Sequence, residues 1–185
     1  MTKKNNVINA RKIKRFDVIA SIDCFGPEQE YVRHGLNLSV WQSNFEYLVE
    51  QKWITLSINQ TISVLTIKTM LPLISYINEK RKIRKLEHYF STVVLTHDFF
   101  RPEIFGKDFF KQEFDSIIEN MPNDTWQHQE AKTYMQGIWL QINSKERNQE
   151  AINRLGVYLD EIDRRRNLNW RKTFTWLERE IINVV

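Results

Sequence analysis

Two hydrophobic periods alternate over residues 16–96, and this alternation constrains the fold more than anything else in the chain. Three short runs are rich in β-branched and aromatic residues: FDVIASID at 16–23, KWITLSINQT at 52–61 and FSTVVL at 90–95. Runs of this composition read as strands. Between the first two lies LNLSVWQSNFEYLVEQ, with apolar residues at 36, 40, 41, 45 and 48. Between the second and third lies TIKTMLPLISYINEKRKIRKL, apolar at 67, 70, 71, 74 and 77. Both spacings are helical. Pro72 is expected in the first turn of the second helix or at a kink. The order β-α-β-α-β predicts a parallel sheet with right-handed crossovers.

After residue 97 the strand signal stops. KDFFKQEFDSIIEN is amphipathic, with Phe110, Phe114, Ile117 and Ile118 on one side. Met121-Pro122-Asn123-Asp124 breaks it, and Asp124 is a candidate cap for the next helix. Trp126, Ala131, Met135, Ile138, Trp139 and Ile142 continue a helical stripe; Ala151, Ile152, Leu155, Tyr158, Leu159 and Ile162 form another. A last short helix is expected to hold Trp170, Phe174, Leu177 and Ile181. The chain therefore reads as α/β first and all-α second. With only 5 Gly and 4 Pro in 185 residues, long regular elements with few tight turns are expected.

The same counts exclude several functions. The glycines at 26, 35, 106, 137 and 156 are too far apart for a GxGxxG or P-loop. Cys24 is the single cysteine, so there is no disulfide, zinc knuckle or self-contained iron–sulfur site. A lone thiol fits a reducing, cytoplasmic setting. The longest apolar stretch, residues 62–77, is interrupted by Lys68, so no membrane span is expected. Residues 1–15 carry six bases and no acid, but no apolar signal-peptide core follows. They read as a solvated basic arm.

Strand side chains alternate faces. Phe16, Val18, Ala20 and Ile22 share one face of the first strand, and Asp17, Ile19, Ser21 and Asp23 the other. In the second strand Ile54, Leu56 and Ile58 oppose Thr55, Ser57, Asn59 and Thr61. One face is apolar and should pack on helices. The other turns polar toward the strands' C-terminal ends, where parallel α/β sheets bind ligands. Ser21, Asp23, Asn59 and Thr61 should converge there. A plainer reading is that Asp23 caps the next turn, and that Asn59 and Thr61 only end a strand.

SIDCFGPEQEYVRHG at 21–35 resembles the fourth-strand signature of radical S-adenosylmethionine enzymes with the shortened "twitch" auxiliary region, roughly SIDGxGxxxEYxRxG. Trp41 and Asn44 echo the helix that follows it in that family. ITLSINQTISVLTIKTMLPLISYI is similar to the family's next strand and helix. YLDEIDRRRNLNWRKTFTWLE is similar to its C-terminal ending. The likeness covers about residues 16–80 and 155–178, in the family's order.

The resemblance implies a partial TIM-like barrel of six parallel strands. It also implies a CxxxCxxC loop that binds a 4Fe–4S cluster, whose open iron holds S-adenosylmethionine. Electron transfer to the sulfonium then gives a 5′-deoxyadenosyl radical that abstracts hydrogen from a substrate. By position, Ser21, Asp23 and Arg33 would lie near the cofactor, Arg33 suiting its carboxylate. Asn59 and Thr61 would approach the ribose or methionyl moiety.

The chain departs from that pattern at the chemistry. It has no CxxxCxxC; Cys24 stands where the family has Gly, and Thr175 where it has Pro. Three strands are legible, not six. The resemblance therefore implies the C-terminal half of such an enzyme: a basic arm at 1–15, a half barrel of three parallel strands at 16–98, and a helical twitch-like region at 99–185. This chain alone would lack the catalysis. S-adenosylmethionine is the implied cofactor, with the 4Fe–4S cluster present only if a partner supplies the cysteines.

A three-stranded parallel sheet has two open edges and wants cover on both faces. A partner is therefore expected, either a second polypeptide completing the barrel or a second copy, through the edge strand at 16–23. A cluster-free binding or scaffold protein is one alternative function. A small nucleic-acid binder is another, using Lys80, Arg81, Lys82, Arg84, Lys85 and Arg164–Arg166; solvated helix ends explain those bases equally well, so nucleic acid is not the expected partner. His97 and Asp98 follow the third strand but lack a third metal ligand. Glu28 and Glu30 read as solvated in a polar loop, Cys24 as a buried or half-buried thiol, and Trp126, Trp139 and Trp176 as core or interface.

Overall fold

The structure, a computed structural model, describes residues 15–92 and 97–181. The basic arm up to residue 14 and the last part of the third strand-like run, 93–95, lie outside the described residues. Strands β1 (Asp17–Ser21), β2 (Thr55–Ile62) and β3 (Glu87–Thr92) form one sheet in the order β1-β2-β3, both pairings parallel. Helices α1 (Pro27–Val32) and α2 (Leu38–Glu50) connect β1 to β2, and α3 (Met70–Arg81) connects β2 to β3. The protein is thus α/β over its first half, with a helical C-terminal region.

Strand limits follow pairing more closely than composition. β2 begins at Thr55, because residues 52–54 form a turn closed by the Ile54 amide on the Gln51 carbonyl. β3 begins at Glu87, before the β-branched run, because Ser57 pairs with Glu87 and Ile58 with His88. Pro72 sits in the first turn of α3, where its missing amide costs nothing. Arg84 fixes the α3–β3 turn by donating to the carbonyls of Leu48, Gln51 and Ile54 at the end of α2.

The C-terminal region comprises α4 (Lys111–Asn120), α5 (Trp126–Asn143), α6 (Gln149–Arg166), α7 (Trp170–Thr173) and α8 (Thr175–Glu178). Thr125, not Asp124, caps α5 by accepting from the His128 amide; the Asp124 carboxylate instead meets His128 Nδ1 at 2.6 Å. The tail is two short helical turns where one helix was expected. Phe174, at φ −113° and ψ 62°, breaks them so that its buried ring can lie edge-on to Tyr31.

Two cores meet along α3. Leu73 and Ile77 join Ile22, Phe45, Leu56 and Ile58 beneath the sheet. Met70 and Ile74 join a core of Phe110, Phe114, Met135, Leu155 and Trp170. Each fully buried Leu or Ile contributes roughly 1.5–3 kcal/mol. The even-numbered sheet face is thus closed. The odd face is open at its edges, with Ile19 62% and Tyr89 51% exposed.

Candidate functional site

Gly26 adopts φ +89°, a conformation open to glycine at low cost, and so lets the chain turn from β1 into Pro27 at the start of α1. Glu28 and Glu30 therefore stand in the first turn of a helix and not in a polar loop. Burial raises the pKa of Glu28, and Glu30 accepts the Leu38 amide at 2.8 Å at the start of α2. Two buried glutamines hold the β1–α1 turn. Gln29 Oε1 accepts the amides of Asp23 and Cys24 at 2.9 and 2.8 Å, and Gln60 Nε2 donates to the Asp23 carbonyl at 2.7 Å. Gln60 falls on the apolar face of β2 between Ile58 and Ile62, and that break in the alternation was the available sequence signal for it.

The turn positions Asp23 with its carboxylate fully engaged. Arg33 donates through Nε at 2.7 Å to Oδ2 and through Nη2 at 3.0 Å to Oδ1, which also accepts the Thr61 amide at 2.9 Å. Asp23 is therefore not a cap for the next turn. It ties α1 to the end of β2. Arg33 pairs with Asp23, and its Nη1 makes no hydrogen bond among the described residues.

Asp23, Arg33 and Thr61 line a cavity of about 360 Å³ at the C-terminal ends of the strands. Its walls are Tyr31, Phe100, Tyr158 and Ile162, and Arg166 stands at its rim. Ser21 and Asn59 do not line it. They are register partners on the open face, where Ser91 Oγ donates to Asn59 Oδ1 at 3.1 Å.

Sequence reasoning did not bring Tyr31 or Arg166 to this site, although both lie inside the quoted motifs; Arg166 was singled out only within the basic run at 164–166. The Tyr31 hydroxyl donates to Asp163 Oδ1 at 2.8 Å, and Asp163 Oδ2 accepts the Trp170 amide at 2.7 Å. Burial, then the Asp163 carboxylate, raises the Tyr31 pKa, so it stays a neutral donor. The segments 21–35 and 155–178 thus meet at this cavity. In the last turn of α6, Arg164 and Arg165 both pair with Glu161, whereas Arg166 has no ion pair among the described residues. Arg166 thus brings a cation without an ion pair among the described residues to the rim.

The other candidates are occupied otherwise. Cys24 is buried, and that burial pushes its pKa up to about 12, so it is no thiolate at neutral pH. His97 stacks on Phe99 at 4.9 Å, and Asp98 pairs with Arg154 at 2.7 Å. Among the described residues no group of three His, Cys, Asp or Glu could hold a metal ion. The bases at 80–84 are largely engaged: Lys80 with Glu46, Lys82 with Glu79, Arg81 with Asn78, and Arg84 with backbone carbonyls. Trp126 is exposed, while Trp139 and Trp176 are half-buried against the helical core.

No helix of the described residues is long and apolar enough to cross a membrane. Comparison with protein-family models, curated proteins and solved structures returns no match.

Proposed function

We propose that this chain is the C-terminal half of a radical S-adenosylmethionine-type barrel, and that its cavity binds S-adenosylmethionine once a Cys-bearing polypeptide covers the open face. The observation that carries the reading is the meeting of the two motif segments, 132 residues apart, through the Tyr31–Asp163 hydrogen bond at the end of a parallel sheet.

The residues present suit one cofactor and not the other. The cavity lies within the range of small-ligand sites, about 300–1,000 Å³. Arg166 and the free Nη1 of Arg33 would hold a carboxylate, and Phe100 and Tyr158 offer ring faces for a purine. Thr61 lies in the wall, and Ser21 and Asn59 face the space a partner would enclose. A 4Fe–4S cluster has no ligands in this chain, since Cys24 is buried and protonated. The cluster, held by the partner's cysteines, would supply the single electron that cleaves the sulfonium. This chain's part is to bind and orient. Asp23 fixes Arg33, Tyr31 fixes the helix that carries Arg166, and the β1 edge, unpaired among the described residues, would take the partner.

The test begins with the DNA next to this reading frame. A neighbouring frame encoding CxxxCxxC is expected. Co-expressed anaerobically, the two chains should form a brown complex that releases 5′-deoxyadenosine from S-adenosylmethionine on reduction. A stable complex without either property would sink the proposal.

A further inference from the structure

A second concavity lies on the other side of β3, away from the S-adenosylmethionine cavity. It is a groove of about 530 Å³ between the free edge of β3 and the N-terminal half of α5. β3 pairs with β2 alone among the described residues, so every second residue presents its amide and carbonyl outward. α5 packs against β3, and its His128 and Ala131 gather with His88 and Phe90 of the even face. Trp126, 68% exposed, and Tyr134, 45% exposed, line the groove from α5, and Tyr89, 51% exposed, lines it from β3.

Three features name the occupant. A row of outward backbone groups is matched by another extended backbone and by little else. An aromatic wall parallel to that row takes the alternate side chains of a strand. Of the charged residues lining the groove, Lys85 and Glu87 pair with each other at 3.7 Å, and Glu130, exposed on α5 and without an ion pair among the described residues, leaves one acidic group opposite the incoming chain. His88, which also lines the groove, is more than nine-tenths buried, and its Nε2 has no hydrogen-bond partner.

We infer that the β3–α5 groove is a docking site for an extended peptide segment of another protein, added as a fourth strand, with alternating apolar residues and a basic side chain facing Glu130. This site does not depend on the S-adenosylmethionine reading. It lies on the β3 edge, whereas the barrel partner is expected on β1.

The probe is a pair of capped ten-residue peptides with alternating Val and Thr and a central Lys or Glu, titrated calorimetrically into the full chain. The Lys peptide should bind at least tenfold tighter than the Glu peptide. N-methylation of alternate peptide amides should abolish binding. Glu130→Lys should invert the preference, and Trp126→Ala should weaken binding at least fivefold. Both side chains are exposed, so an unchanged circular dichroism spectrum is expected for each variant. No binding of either peptide at 1 mM overturns the inference, as does binding indifferent to N-methylation. A dimer in light scattering that Trp126→Ala dissociates also overturns it, because the groove's occupant would then be a second copy.

Discussion

The two faces of the sheet are built from the same three strands and have opposite fates. The even face carries Leu56, Ile58 and Ile62 on β2 and is sealed by Phe45, Leu73 and Ile77 from the helices. The odd face carries Ser21, Ser57, Asn59 and Ser91; Ser57 on the middle strand is buried, while Ile19 and Tyr89 are largely exposed at the edges. A solvent-facing side of an antiparallel sheet would be uniformly polar, but parallel sheets are ordinarily covered on both sides. Polar groups near the strands' C-terminal ends, flanked by exposed apolar residues, form the face that the proposed partner would cover.

Mutating one residue on each face should give the largest difference. Ile58→Ala should lower the unfolding free energy by about 3 kcal/mol, because it opens a cavity in a fully buried core. Ile19→Ser, on the open face, should change it by less than about 0.5 kcal/mol. Urea denaturation followed by far-UV circular dichroism measures both. Equal losses would mean that the odd face is already covered.

The contrast between the faces was largely legible in the sequence, because alternation in a strand is a property of neighbouring residues. FDVIASID and LSINQT give the strands, their order and the polar side without any knowledge of the fold. The cavity was legible only in part. Asp23 and Thr61 were found because they sit at or near strand ends, and Arg33 only through the motif resemblance, but Tyr31 and Arg166 reach the cavity through contacts between segments far apart in the chain. Local periodicity carries no information about such contacts. Phe174 illustrates the same limit: its helical spacing was real, and its packing on Tyr31 overrode it.

The second effect sharpens the comparison at the boundary between the faces. Asp23→Ala should cost about 2–3 kcal/mol, less than for a fully buried pair, because Arg33 keeps 36% side-chain exposure and can rehydrate. Adding Arg33→Met should restore part of the loss, as a double-mutant cycle would read. Full additivity would mean that the pair contributes nothing as a pair.

A third, smaller effect is a pH dependence confined to the covered face. Burial, then the nearby charges of Arg81 and His128, lowers the His88 pKa from 6.5 to about 3. The unfolded chain takes up this proton near pH 6.5 and the folded chain does not. Stability therefore rises with pH between about 3 and 6.5 and is flat above. His88 alone should make the protein about 2 kcal/mol less stable at pH 5 than at pH 7. His88→Phe should flatten that slope in urea titrations at the two pH values; an unchanged slope would assign it to carboxylates.

The smallest effect concerns the seam between the α/β half and the tail. Tyr31→Phe removes one hydrogen bond to Asp163 and should cost about 1 kcal/mol. Hydrogen exchange at the Trp170 amide, which shares Asp163, should accelerate while exchange in β2 does not. Uniform acceleration would mean that the seam and the sheet open together.

The proposed S-adenosylmethionine site lies at the end of the open side of the sheet, with Arg166 as the cation that would meet the carboxylate. Calorimetric titration of S-adenosylmethionine into the complex of this chain with its Cys-bearing partner is the direct test. Binding in the micromolar to low-millimolar range is expected, with Arg166→Glu weakening it at least tenfold, about 1.4 kcal/mol. No heat of binding at several millimolar, or binding that Arg166→Glu leaves untouched, would contradict it.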